Sequence, residues 1–176
     1  MFTIRRHTYA VKKRGQNVKY QGRKSAKTVN HLVMCDNSYN LPAVYDGIDG
    51  NHHDSYGLID NTQKITDPLN RYRIDYQHSH LNADSGFDTK AFLAFIRQNN
   101  MIANIRQNNR NTKNNNKQPF RYMSRYIYQS RFKIEVVFAW LDTYKRILVR
   151  FEQLALHFSS WIFIASALIN FRHLFN

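Results

Sequence analysis

The chain has 176 residues, 43% of them hydrophobic and 14% aromatic, which excludes a disordered chain and leaves room for one domain with its own core. Lys and Arg number 26 against 12 Asp and Glu, a formal net charge of +14 that calls for a polyanionic partner, nucleic acid first of all. The single cysteine excludes a disulfide framework and a Cys-rich zinc site and suits a reducing cytoplasm, while the absence of a secretory signal or a spanning-length apolar run argues against a membrane role.

Residues 5–28 are dense in cations, and Gly15 and Gly22 punctuate them, so a twisted hairpin is expected rather than a helix. Lys12, Lys13, Arg14, Lys19, Arg23, Lys24 and Lys27 are its candidates for phosphate contact. An apolar run over 31–35 stops at the turn signal Asp36-Asn37 and resumes over 41–45, which reads as two neighbouring strands. Residues 46–56 form a loop. Its adjacent pair His52 and His53 lacks the spacing of a zinc site and is expected to order the loop. A short helix ended by Pro68 is expected within 57–70.

Residues 80–83 read as a strand that delivers Asp84-Ser85-Gly86 at its tip. Asp88-Thr89 can cap a helix running to Gln98, with Ala91, Phe92, Phe95 and Ile96 as its apolar stripe. Another strand follows over 101–105. Residues 106–118 form an exposed basic loop, in which Arg106, Arg110, Lys113 and Lys117 are phosphate-contact candidates, joined by Arg121 and Lys145 further on. One long helix is expected from 125 to about 153, with Ile134, Val137, Phe138, Leu141, Ile147, Leu148 and Phe151 inward, and a last apolar helix over 155–172. This order suits an α/β domain with helices against a mixed sheet.

Two carboxylates stand out. Asp84 sits where a strand ends, and Glu135 shares a helix face with Arg131 four residues earlier and Tyr128 three before that. Converging carboxylates can hold divalent metal ions for phosphodiester cleavage. The plainer alternative is an i,i+4 ion pair between Arg131 and Glu135, worth about 0.3–0.5 kcal/mol on a helix surface, with Asp84 a turn residue. Tyr122, Tyr126 and Tyr128 beside Arg121 and Arg125 suit either base stacking or helix-entry packing. Cys35 is expected to be buried and inert.

The segment Leu81-Asn82-Ala83-Asp84-Ser85-Gly86-Phe87-Asp88 resembles the motif carrying the second catalytic aspartate of DDE transposases of bacterial insertion sequence families four and five. Tyr128, Arg131 and Glu135 match the spacing of that group's Tyr-Arg-Glu signature. Gly50-Asn51-His52-His53-Asp54-Ser55-Tyr56, Val18-Lys19-Tyr20-Gln21-Gly22-Arg23-Lys24, Phe138-Ala139-Trp140-Leu141-Asp142 and Val149-Arg150-Phe151-Glu152 resemble further segments in the same order. The resemblance implies one catalytic-type domain over 1–176 with a ribonuclease-H-like mixed sheet flanked by helices, its first strand incomplete and the chain truncated at its N-terminus. It also implies Asp84 and Glu135 as metal ligands for Mg2+ or Mn2+, Arg131 orienting Glu135 or touching the scissile phosphate, and Tyr128 as a buttress. Double-stranded DNA, a homo-oligomer on that DNA and a bacterial, nucleoid-associated location follow as expectations.

Two departures qualify that picture. Ile4-Arg5-Arg6 fall where the first catalytic aspartate and its glycine and hydroxyl neighbours stand in the family, and Asp142 replaces a lysine seven residues after Glu135. Impaired cut-and-paste catalysis is therefore expected. Its alternatives are a non-catalytic DNA-binding remnant that interferes with intact copies and a basic RNA-binding structural protein. Asp36, Asp46, Asp49 and Asp54 are the carboxylates near enough in sequence to replace the missing aspartate.

Overall fold

The computed structural model describes residues 1–41, 43–44, 47–108 and 121–175. Its framework is a mixed sheet whose middle strand, β1 (Phe2–Val11), pairs antiparallel with β3 (Ala26–Asp36) from Phe2↔Asp36 to Ala10↔Thr28. On its other edge β1 runs parallel to β6 (His80–Ala83), which in turn runs parallel to β7 (Ile102–Ile105). β2 (Lys19–Gln21), β4 (Ala43–Val44) and β5 (Ile48–Asp49) add to β3, giving the order β2-β3-β1-β6-β7 along the main path. The first strand, expected to be incomplete, runs ten residues and is paired on both sides.

Strand residues alternate between the two faces of a sheet, and β1 sorts its side chains accordingly. Phe2 and Ile4 enter a core shared with Leu32, Met34 and Leu81, closed by α1 (Leu58–Arg71) and α2 (Lys90–Gln98) through Ile65, Leu69, Phe92 and Ile96. Tyr9 and Val11 enter the opposite core with Val29, Val33 and Cys35. That face is closed by α4 (Lys133–Asp142) and α6 (Ala155–Leu174) through Ile134, Val137, Leu141, Phe158 and Ile162. The result is a ribonuclease-H-like sheet flanked by helices.

Three expectations need correction. Pro68 lies inside α1 rather than ending it: it falls in the last turn, where the missing N–H removes one hydrogen bond, and the helix continues to Arg71. The helix expected over 125–153 is broken into α3 (Arg125–Gln129), a 3₁₀ turn at Ser130–Phe132, α4 and α5 (Lys145–Leu148). Ser124 caps α3 by accepting from Ile127 N. The chain then leaves α5 into β8 (Val149–Arg150), parallel to β1 through Ala10↔Val149. The loop over 46–56 also contains β5, held close to β3: a Cβ at Gly50 would lie 2.1 Å from the Thr28 carbonyl oxygen, so only glycine fits.

α6 is apolar on all sides, burying Phe158, Ile162, Ala165 and Ile169 and exposing Leu156, Phe163, Ile164, Leu168 and Phe171. Asn170 anchors it by accepting from Leu41 N at 2.8 Å and donating to Leu41 O at 3.0 Å. No helix among the described residues is long and apolar enough to cross a membrane.

Beneath α6 the fold buries His31 completely, with neither ring nitrogen bonded among the described residues and edge contacts to Tyr9 and Phe158. Burial, then Arg150 and His7, pushes its pKa down to about 3, so it stays neutral when folded. The unfolded imidazole titrates near 6.5 and binds the extra proton below that, so stability is full above pH 6.5 and falls toward pH 3. The expected slope is at most about 1.4 kcal/mol per pH unit in that window. Denaturant titrations from pH 7 to pH 4 should show the slope flatten in His31→Phe; equal slopes for both proteins would remove His31 as its source.

Candidate functional site

Asp84 follows the last residue of β6, where Ala83 is buried and the sheet ends. Its carboxylate accepts from Ser85 N at 2.7 Å and starts the 3₁₀ turn Ser85–Phe87, pinned by the buried Phe87. Glu135 lies in the first turn of α4, beside the buried Ile134, so packing of α4 on β1 and β3 aims it over the centre of the sheet. α3 is tied to the sheet by two buried asparagines. Asn104 donates to Asn82 Oδ1 at 2.7 Å and accepts from Ser124 N at 2.9 Å, and Asn82 donates to the Ile127 carbonyl at 2.8 Å.

The charges pair across these elements. Arg5 of β1 donates to Glu135 of α4, and Arg131 lies 3.8 Å from Asp84 with its guanidinium 4.8 Å from the Tyr128 ring. His7, two residues along β1, bonds Asp142 at 3.0 Å and stacks on Phe138. The plainer alternative, an i,i+4 pair between Arg131 and Glu135, is therefore absent from the bonds seen. The 3₁₀ turn at Ser130–Phe132 changes the winding between the two residues, and each takes a partner from the sheet. Asp142, which stands where the family resemblance places a lysine, pairs with β1 instead.

The resemblance aligns Ile4 with the missing aspartate, Arg5 with the glycine and Arg6 with the hydroxyl residue, but face parity in β1 puts Arg5, not Ile4, on the side of the carboxylates. Ile4 is fully buried in the core toward α1 and α2, and Arg6, on that same face, donates to the carbonyls of His53 and Tyr56. Burial lowers the Arg6 pKa while Asp54 raises it. Arg5 alone points toward α4. The parallel register Phe2↔Leu81 and Thr3↔Asn82, continued two residues, sets Arg5 level with Asp84.

The residues present do not fit a divalent metal. Asp84 and Glu135 each face a guanidinium, and no group of three His, Cys, Asp or Glu that could hold an ion exists among the described residues. Asp36 accepts from Ser38 N, Asn40 N and Asn40 Nδ2, and Asp49 accepts from Asn17. Asp54 packs against Gly86, where a Cβ would sit 3.3 Å from Asp54 Oδ2. Asp46 lies outside the described residues.

Lys12, Lys13, Arg14, Lys19, Arg23, Lys24, Lys27, Arg106 and Lys145 are exposed. Arg110, Lys113 and Lys117, with most of the basic loop, lie outside the described residues. Arg121 is not a free cation: it pairs with the buried Asp88 at 2.9 Å and donates to Ile105 O at 2.7 Å, because a carboxylate that deep needs a partner. His52 stacks on Tyr56 at 3.5 Å and His53 bonds Ser55 at 2.8 Å, so both order their loop. Cys35 is buried, and burial, with Asp36, pushes its thiol up to about 12, far from a thiolate at neutral pH. Reading the sequence missed Asn82, Asn104, the His7–Asp142 pair and the direction of Arg5. An asparagine inside an apolar strand was the available signal for the first two.

The family described as "Transposase DDE domain" matches residues 2–170. The fold is similar to that in the cryo-EM structure of a piggyBac transposase synaptic complex with hairpin DNA, with a TM-score of 0.60 at 14% identity. The match covers 96% of this chain, and the chain spans 45% of that one. No curated protein matches the sequence.

The asparagine network is predicted to matter for stability, since Asn104→Leu orphans Ser124 N and Asn82 Oδ1. Each such group costs about 1–3 kcal/mol. Urea unfolding should show a loss of that size; a change within about 0.5 kcal/mol, the range of surface substitutions, would refute the role.

Proposed function

From the premise that this chain belongs to the transposase DDE domain family, we propose that it handles transposon-end duplex DNA in cut-and-paste transposition, with strand cleavage impaired. The insertion sequence families four and five, in a bacterial cell and on its nucleoid, are the setting that the motifs around Asp84 and Glu135 favour. The observation that carries the reading is the pairing of Arg131 with Asp84 at the end of β6 and of Arg5 with Glu135, with the β1–β6 register setting Arg5 level with Asp84.

In that reading the chain's own residues bind and orient DNA. The exposed cations from Lys12 to Lys27 project from one end of the β1–β3 hairpin, with Arg106 at the end of β7 and Lys145 on α5. Cations so placed displace counterions from phosphates without reading bases, which gives affinity without sequence preference. Arg131, half-exposed beside Asp84, is positioned for a phosphate near the carboxylates. Divalent metal would supply water activation and charge neutralisation in a working family member. The donor set here does not fit it, so no cleavage step is assigned to this chain. The alternative reading is a binding remnant that occupies element ends and interferes with intact copies through mixed oligomers. The chain spans 45% of the piggyBac chain it resembles, so the activity of a whole transposase is part of this proposal.

Two measurements test it. Binding to a labelled duplex should weaken steeply with salt, and Lys24→Ala should reduce the log–log slope by about one. A preference for structured RNA over duplex DNA would replace this reading with the RNA-binding one. In a nicking assay with Mg2+ or Mn2+ the chain should leave element-end duplexes intact; cuts that vanish in Glu135→Gln would overturn impaired cleavage.

A further inference from the structure

We propose that Arg5 is a resident cation that takes the place of divalent metal in this cluster, so that one side chain keeps metal out. The inference rests on the reading of Asp84 and Glu135 as the family's carboxylate pair.

The placement comes first. Arg5 emerges from the middle strand of the sheet, on the face toward α4, and continuing the β1–β6 register sets it level with Asp84. Its guanidinium bonds Glu135 while Arg131 faces Asp84. Two carboxylates thus meet two cations, and the cluster is neutral without any ion. A divalent cation entering it would meet Arg5 and Arg131 at short range and leave a surplus of two positive charges. That surplus would sit in a chain already at +14.

The chemistry of arginine closes the argument. A guanidinium offers donors and no acceptor, so Arg5 can hold a carboxylate but cannot itself ligate a metal. Two carboxylates alone are a poor hard-cation site, since Mg2+ needs several oxygen ligands in near-octahedral order. Exchanging Arg5 for aspartate removes the competing cation and adds a third carboxylate at the level of Asp84 in one step. Ile4→Asp cannot do this, because that side chain is buried in the opposite core.

The test reads Mn2+ binding by the loss of free-ion signal in electron paramagnetic resonance, with folding followed by circular dichroism. The natural chain should bind no Mn2+ through this cluster. Arg5→Asp should bind it more than about tenfold tighter, and the double variant Arg5→Asp/Glu135→Gln should lose the gain. Mn2+ binding by the natural chain that disappears in Glu135→Gln would overturn the proposal. So would a folded Arg5→Asp that binds no better than the natural chain.

A metal-free readout covers the case in which Arg5→Asp does not fold. In the natural chain Glu135→Gln should lower Tm in EDTA, because Arg5 loses its carboxylate, and this loss should vanish in an Arg5→Gln background. A rise in Tm instead would mean that Glu135 sits among repelling carboxylates, and Arg5 would not be the resident cation. Failure of the wider reading looks different: an Arg5→Asp chain that gains Mn2+ but neither binds nor cuts element-end duplex keeps the resident cation and removes the transposase assignment.

Discussion

β1 carries the constraint on which the site depends. It is the middle strand of the sheet, between β3 and β6, and both cores of the domain pack against it. A strand in that place cannot choose which way each side chain points, because a shift of one residue would move every apolar group to the wrong face. Phe2 and Ile4 therefore fix the direction of Arg5 and His7. The side chains that meet α4 are decided by residues that do not touch it.

That constraint explains how α4 docks. Its apolar face lies over Tyr9, Val33 and Cys35, and two polar links, Arg5 with Glu135 and His7 with Asp142, sit further along β1. The links are half-exposed, so each adds only a fraction of a kilocalorie to about one, and the helix is held chiefly by its buried face. What the links decide is orientation and charge. Asp142 answers a histidine of the strand, and Glu135 answers an arginine, so the helix face of this chain is matched to its own β1.

Much of this was legible in the sequence because its signals are local. The strand over 80–83 ending at Asp84, the Thr89 cap of α2 and the basic hairpin each rest on a few neighbouring residues. The break in the helix expected after Arg125 was not legible. Its apolar spacing persists through the 3₁₀ turn at Ser130–Phe132, and the parallel pairing of Val149 and Arg150 with β1 is a long-range contact. The partners of Arg131 and Arg121 were missed for the same reason. Sequence spacing offered Arg131 the nearby Glu135, whereas the fold offers Asp84 from a strand 47 positions away. The motif alignment put the missing aspartate at Ile4, and seeing that Arg5 is the residue facing the carboxylates needed the face parity of a strand whose cores are built by residues far along the chain.

The fold and the chemistry of the family differ in what they tolerate. A sheet built on Phe2, Ile4, Tyr9 and Val11 keeps its pairing whether position 5 is acidic or basic, since that side chain is half in solvent and near two carboxylates of its own chain. Arginine even fits the chain without metal, because it gives Glu135 a counter-charge. Metal chemistry tolerates no such change, as a ligand must be a hard oxygen placed within fractions of an ångström. Selection on folding alone therefore accepts Arg5, and selection on cleavage rejects it. A domain that carries Arg5 with its asparagine network and its Arg121–Asp88 pair in place has kept the framework of the fold, and under the function proposed above it would hold DNA without cutting it.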